Sequence, residues 1–274
     1  MQRFFTEPEN IHNGEIVIVG DDVNHMKNSL RMKVGEQLEV CDSAGKVYLC
    51  RIDEYLQEGE MTEKNTSSHG ERQKTKSDAS NKGENQLQVV LKIEKEWQNE
   101  TELSSQIYLF QGLPKSDKME LIIQKAVELG VYQVIPVSTN RAVMKLDEKK
   151  STKKAGRWNS ISESAAKQAG RGIIPKVSKV MTYEEALEVA KGLELILFPY
   201  ELATDMSKTK EILRSVKSDQ KIGVFIGPEG GFDRVEVKKA IEAGATPITL
   251  GKRILRTETA AITMLSLLMF ELSC

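Results

Sequence analysis

Two stretches decide the fold: Gly227-Pro228-Glu229-Gly230-Gly231-Phe232 and Leu250-Gly251-Lys252-Arg253-Ile254-Leu255-Arg256-Thr257-Glu258-Thr259-Ala260-Ala261. The first follows a mostly apolar run, Ile222 to Ile226. The second follows a shorter β-like run, Thr246 to Leu250. Each reads as a strand that ends in glycine and turns into a helix. Ligands of open α/β sheets bind where the carboxyl ends of strands meet such turns. Glycine there lets a ligand approach the backbone, and Pro228 stiffens the first loop by fixing φ. Two such loops in one tail point to a shared pocket. The first is not a Walker A loop, because it lacks Lys-Ser/Thr, and it is not a Rossmann G-x-G-x-x-G.

Outward from the tail, strand and helix patterns alternate. Ile107 to Phe110, Val131 to Val137 and Leu193 to Phe198 read as strands. Asp117 and Glu120, Thr182 and Glu185, and Asp233 and Glu236 have capping-box spacing. Met119, Ile122, Ile123, Ala126 and Val127 fall on one helical face. Further helices are expected near Thr152–Ala169, Ser207–Val216 and Thr257–Leu272, with Thr257 as the last N-cap. Alternation of this kind predicts a parallel sheet with helices on both faces.

Residues 1 to about 56 read as β, with a short helix at Asp22–Leu30 and a hairpin turn at Asp42-Ser43-Ala44-Gly45. Gln57 to Gln86 holds only Met61 and Ala79 as apolar residues, so it is expected to be disordered. Leu87 to Ile93 resumes strand alternation. The insert therefore sits inside one β domain of residues 1–100, and the α/β domain is 101–274.

The chain has 274 residues, 39% of them hydrophobic, and a formal net charge of -1. No apolar run approaches the roughly eighteen residues of a membrane helix. The N-terminus shows no apolar signal segment. Cys41, Cys50 and Cys274 lack metal-ligand spacing, as do His12, His25 and His69, so no metal is expected and a cytoplasmic setting is. Near-neutral charge argues against a partner held by charge alone. Basic residues do cluster locally, at Lys27, Arg31 and Lys33, and at Lys149, Lys150, Lys153, Lys154 and Arg157. Such runs also occur as plain solvated faces.

"IGPEGGF" and "LGKRILRTETAA" resemble the RsmE-type enzymes of the SPOUT methyltransferase superfamily. So do "RFF" at Arg3, "HMKNSLRMKVGE" from His25, "KSDKMELIIQKAVELGV" from Lys115 and "PVSTNRAVMK" from Pro136. The resemblance covers nearly the whole chain apart from the insert. It implies an N-terminal PUA-like β-barrel that helps hold RNA, and an α/β domain whose C-terminal segment forms a trefoil knot. It implies a homodimer that methylates N3 of uridine-1498 in 16S ribosomal RNA of the small subunit, with S-adenosylmethionine as donor. Another RNA target within the superfamily, or a non-catalytic assembly factor, are the alternatives. Intact cofactor loops speak against the assembly factor.

By resemblance the cofactor wall is Gly227, Pro228, Glu229, Gly230, Leu250, Gly251, Ile254, Leu255, Thr259 and Ala260. It also takes in the strand end Phe198, Pro199, Tyr200 and Glu201. Many relatives have His-Pro where this chain has Phe198-Pro199. Glu201 can hold the ribose hydroxyls or the cationic end of the cofactor, or be a solvated turn carboxylate. Arg256 is the candidate electrostatic catalyst, since a cation favours the uridine N3 anion. Glu229, Glu201 and Glu258 are each candidate bases. Arg3, Lys27, Arg31, Lys33, Lys115, Lys118 and Arg171 are candidate RNA contacts, against the reading that they only solubilise the surface.

Overall fold

A computed structural model describes residues 1–57, 87–144 and 146–273. Apart from Gln57, the insert expected to be disordered lies outside the described residues. The chain divides into two compact units, Met1–Glu100 and Thr101–Cys274.

The first unit carries β1 (Arg3–Thr6), β2 (Ile11–His12), β3 (Glu15–Val19), α1 (Asp21–Asn24), β4 (Gln37–Asp42), β5 (Lys46–Gln57) and β6 (Leu87–Gln98). They form one six-stranded sheet in the order β1-β4-β5-β6-β3-β2. The β4–β5 turn closes on Asp42, whose Oδ1 accepts the N–H groups of Ala44 and Lys46 at 3.0 and 2.8 Å. Gly45 supplies the positive φ of 82° there. Phe4, Ile16, Leu38, Val40, Ile52 and Leu91 form the core. The helix expected over Asp22–Leu30 is split: α1 passes into a π-helical turn, His25–Ser29. It ends where Arg31 takes the left-handed conformation.

The second unit carries β7 (Gln106–Gly112), α2 (Lys118–Glu128), β8 (Gln133–Ser138), α3 (Glu148–Ala169), β9 (Lys176–Val177), β10 (Met181–Thr182), α4 (Tyr183–Ala190), β11 (Leu195–Pro199), α5 (Met206–Arg214), β12 (Lys221–Ile226), α6 (Arg234–Glu242), β13 (Thr246–Ile248) and α7 (Thr257–Leu272). Six strands run in the order β10-β8-β7-β12-β11-β13, and β9 pairs with β8. Every pairing is parallel. Phe225 stacks on Phe110 at 4.3 Å, and Phe198 packs at 4.7 Å from Phe232, in a core closed by α4 and α6. Val224 and Ile226 point the other way and are equally buried, so both faces of the sheet are covered.

Two of the expected capping boxes form, at Thr182–Glu185 and Asp233–Glu236. The third does not. Asp117 has φ -91° and ψ 8°, not the extended backbone an N-cap needs, and its side chain caps nothing. Glu120 instead pairs with Arg157 at 2.7 Å. Helix α3 begins earlier than expected because Asp147 accepts the Lys150 N–H at 2.8 Å.

Arg171, expected to face RNA, is buried. Its Nε donates to Glu102 at 2.8 Å, and its Nη1 and Nη2 donate to the carbonyls of Val127 and Val131 at 2.7 and 3.0 Å. It joins the segment after α3 to the end of α2, and a side chain so enclosed offers no charge to a polyanion. Arg171→Met removes the guanidinium from Glu102, which keeps only the Gly172 N–H, and takes a donor from the carbonyls of Val127 and Val131. Urea unfolding of this variant should show a loss of about 3 kcal/mol, the low end for breaking a buried pair because Glu102 keeps some solvent. A loss within experimental error would show that the pair bears no load.

Candidate active site

The carboxyl ends of β11, β12 and β13 meet around one cavity of about 380 Å³. Pro199, Tyr200 and Glu201 line it from β11. Gly227, Pro228, Glu229 and Gly230 line it from β12, and Leu250, Gly251, Ile254, Leu255, Arg256 and Ala260 from the segment after β13. The structure thus brings together the two loops read from the tail and adds the expected β11 end. Two residues are corrected. Phe198 is fully buried in the aromatic core and does not line the cavity. Thr259 lies outside the lining too and is exposed on the first turn of α7.

Ile226, Gly231, Phe232, Thr249, Lys252, Arg253 and Thr257 also line the cavity, although sequence reasoning did not assign them to it. Most belong to the two stretches already quoted, so their position was within reach of the pattern. Gly231 carries the positive φ, 65°. Phe232 turns inward to the aromatic core and anchors its loop.

The β12 loop is packed so closely that side chains are excluded. A Cβ at Gly227 would lie 3.0 Å from the Cα of Gly231. A Cβ at Gly112, at the end of β7, would lie 2.6 Å from Pro228 Cδ. Arg141 clamps the far side of the loop by donating from Nη1 to the Gly230 carbonyl at 2.9 Å. Its sequence separation from Gly230 left no spacing signal to find it by.

Thr257 is not the N-cap of α7; Arg256 is, with extended backbone and no side-chain cap bond. The Thr257 hydroxyl has a different task. It donates to the Gly227 carbonyl at 2.6 Å and accepts from Gln111 Nε2 at 2.9 Å. In the 250–255 segment, the one hydrogen bond to a backbone N–H among the described residues is Gly251 to Thr249 Oγ1, at 3.2 Å. Its other amides are available to a ligand. Arg256 and Arg253 are exposed and make no ion pair among the described residues. Ile254 is 89% exposed at the rim.

Lys118, expected to face RNA, lies 3.0 Å from Glu229 and 3.4 Å from Glu258. Two carboxylates claim its charge, so it is a strut under the loop. Burial pushes the Glu229 carboxyl up, but its own backbone N–H, the Lys118 ammonium and the Lys115 N–H together hold it below the usual carboxylate range. Hydrogen bonding to Glu229 raises the Lys118 ammonium in turn. Glu258 Oε2 is buried without a hydrogen bond. The Lys115 side chain is exposed. In the first unit Arg3 is tied to Glu39 at 2.7 Å with little exposure, which corrects its reading as an RNA contact. Lys27 lies 5.4 Å from the Tyr55 ring, and Arg31 and Lys33 are exposed.

Cys41 and Cys50 are buried free thiols, and burial pushes Cys50 up to about 12. Among the described residues no group of three or more His, Cys, Asp or Glu could hold a metal, and no helix is long and apolar enough to cross a membrane.

Residues 101–269 match the family model described as RNA methyltransferase domain, and residues 18–54 match RNA methyltransferase PUA domain. The chain is 32% identical to Ribosomal RNA small subunit methyltransferase E of Bacillus subtilis, over 99% of this chain and 97% of that one. A Legionella pneumophila protein solved with the bound cofactor SAM superposes with TM-score 0.74 at 30% identity, covering 97% of this chain and 96% of that one. A Ribosomal RNA small subunit methyltransferase E from Neisseria gonorrhoeae, bound to S-adenosyl methionine, gives TM-score 0.72 at 27% identity, covering 97% and 95%.

Two outcomes follow from the packing and the charges. Gly227→Ala must push Gly231 away, so a folded variant should lose at least tenfold in S-adenosylmethionine affinity by calorimetry; unchanged affinity would take this loop out of the binding wall. The Lys118–Glu229 contribution to stability is present above the ordinary carboxylate pKa and is lost as pH falls through the lowered folded value. In Lys118→Met, burial acts with less opposition, and a carboxyl NMR titration should show Glu229 moved upward. An unmoved titration would separate the two groups.

Proposed function

We propose, on the premise that this chain belongs to the RNA methyltransferase family and is of the ribosomal RNA small subunit methyltransferase E kind, that it methylates N3 of uridine-1498 in 16S ribosomal RNA, with S-adenosylmethionine as donor. The observation that carries the reading is the double-loop cavity at the carboxyl edge of the sheet. Its volume suits a ligand of cofactor size. Gly231 and Gly251, where the space beside the backbone is open or bounded only by Met206 Cε at 3.9 Å, leave bare backbone against which a flat ring can lie. The unbonded amides between Leu250 and Leu255 offer donors to an adenine edge, and Pro228, Ile254 and Leu255 offer apolar walls. Glu201, exposed and unpaired among the described residues, is placed to hold ribose hydroxyls or the cationic end.

When bound, S-adenosylmethionine supplies an electrophilic methyl on a sulfonium. The chain's part is to present a deprotonated uracil N3 to it. Arg256 sits at the rim with its guanidinium uncommitted, where it favours the uracil anion by charge. Glu229 is engaged by Lys118 and the Lys115 N–H and is a poor proton acceptor. Glu258 pairs with Lys118 and lies outside the cavity lining, so Glu201 is the carboxylate of the lining left without a partner among the described residues. A homodimer, a trefoil knot at the C-terminus and a cytoplasmic setting are parts of the same proposal.

Mass mapping of 16S RNA, after undermethylated small subunits are incubated with protein and cofactor, tests the reading. A methyl at uridine-1498 is expected, and a methyl elsewhere would identify another target. Arg256→Ala should leave S-adenosylmethionine affinity within a few fold and lower methyl transfer by about a hundredfold or more, the scale of removing one preorganised electrostatic donor. Collapse of cofactor affinity in this variant would instead place Arg256 in the cofactor wall.

A further inference from the structure

We propose that the amino-terminal half of α3 is a contact for ribosomal RNA phosphates beside the methylation site, an inference that rests on the rRNA substrate proposed above. Between Glu148 and Arg157 the helix carries Lys149, Lys150, Lys153, Lys154 and Arg157 against one acid, in a chain of net charge -1. Stability does not account for this. The start of a helix favours acidic side chains and disfavours basic ones. Lys149 with Lys153, Lys150 with Lys154, and Lys153 with Arg157 are like-charge neighbours four residues apart, a further destabilising arrangement.

The protein's own carboxylates take little of the charge. Lys150 pairs with Asp147 at 3.1 Å in full solvent, and Arg157 with Glu120 at 2.7 Å. Lys149, Lys153 and Lys154 make no ion pair among the described residues. The buried face of this half of the helix is Ser151, Ala155 and Trp158; Lys149, Lys150, Lys153 and Arg157 are exposed away from it, and Lys154 is half-buried at its flank.

Topology puts this face at the correct edge. All strands of the sheet are parallel, so the loop from β8 to α3 leaves the same carboxyl edge that holds the cavity. Arg141, on that loop, bonds directly to Gly230 of the cavity wall. Helix α3 starts shortly after, and its basic half runs for about 12 Å from Lys149 to Arg157 at 1.5 Å per residue. Lysines are point charges without a planar fork, suited to phosphates and indifferent to base identity. A phosphate backbone of any sequence, reaching past the target uridine, is the occupant this surface fits.

The test compares Lys149→Ala/Lys153→Ala/Lys154→Ala with a control of equal charge change, Lys176→Ala/Lys191→Ala/Lys217→Ala, whose lysines lie away from the carboxyl edge. Binding to undermethylated small subunits is measured over a range of salt, with S-adenosylmethionine affinity measured in parallel. The α3 variant should bind at least tenfold more weakly than wild type and control. The slope of log K against log salt should fall by about two, as for two or three lost phosphate contacts. Cofactor affinity should not change, and melting temperature should hold or rise as repulsion is relieved. A wild-type slope and affinity in the α3 variant, or an equal loss in the control, would overturn the proposal. Loss of binding to anionic lipid vesicles alone, with subunit binding intact, would overturn it in favour of a membrane. If the wild type binds subunits but transfers no methyl, the proposed reaction fails while α3 is still judged by its slope. If the wild type binds no subunit, both readings fall.

Discussion

One buried hydroxyl holds the active-site region together. Thr257 Oγ1 donates to the Gly227 carbonyl and accepts from Gln111, so one atom ties the end of β7, the loop after β12 and the start of α7. Each group is 5% exposed or less at the Thr257 and Gln111 ends, so a lost bond would leave a polar atom without water. The side-chain amide oxygen of Gln111, Oε1, is already without a partner among the described residues. Around that node the loops are fixed by exclusion: glycine against proline, Phe232 sunk into the aromatic core, Arg141 on the outer side. The cavity is therefore a consequence of how three strand ends are stapled, and its polar lining is largely backbone.

Much of this was legible in the chain. A mostly apolar run and a shorter β-like run, each ending in glycine, marked β12 and the approach to α7, and the final helix runs over Thr257–Leu272 as the pattern predicts. Boundaries slipped where a single side chain decided them. Asp147 started α3 early. Asp117 had the spacing of a cap but a backbone bent by its neighbour Ser116, which sits at φ 56°. The β13 strand stops at Ile248, because Thr249 turns its hydroxyl to the Gly251 N–H and starts the loop.

The charged residues were the least legible. Arg3, Lys118 and Arg171 look like surface cations in sequence, yet each is claimed by carboxylates that sequence distance conceals. Ion pairing is a tertiary fact. A basic residue read from sequence carries no information about whether its charge is spent inside the molecule. Arg256, Lys149, Lys153 and Lys154 differ from these in lacking such a partner among the described residues, and that difference is visible only once the chain is folded.

The contact between Gly112 and Pro228 has a consequence for heredity. The pyrrolidine ring fills the space where a side chain on residue 112 would begin. A mutation giving position 112 any Cβ meets the ring at once, and a change at 228 alone leaves a gap in the wall. The two codons lie far apart in the gene, yet they are tolerable mainly as a pair. Lineages descending from this sequence should keep both or exchange both, and rarely pass through either single change.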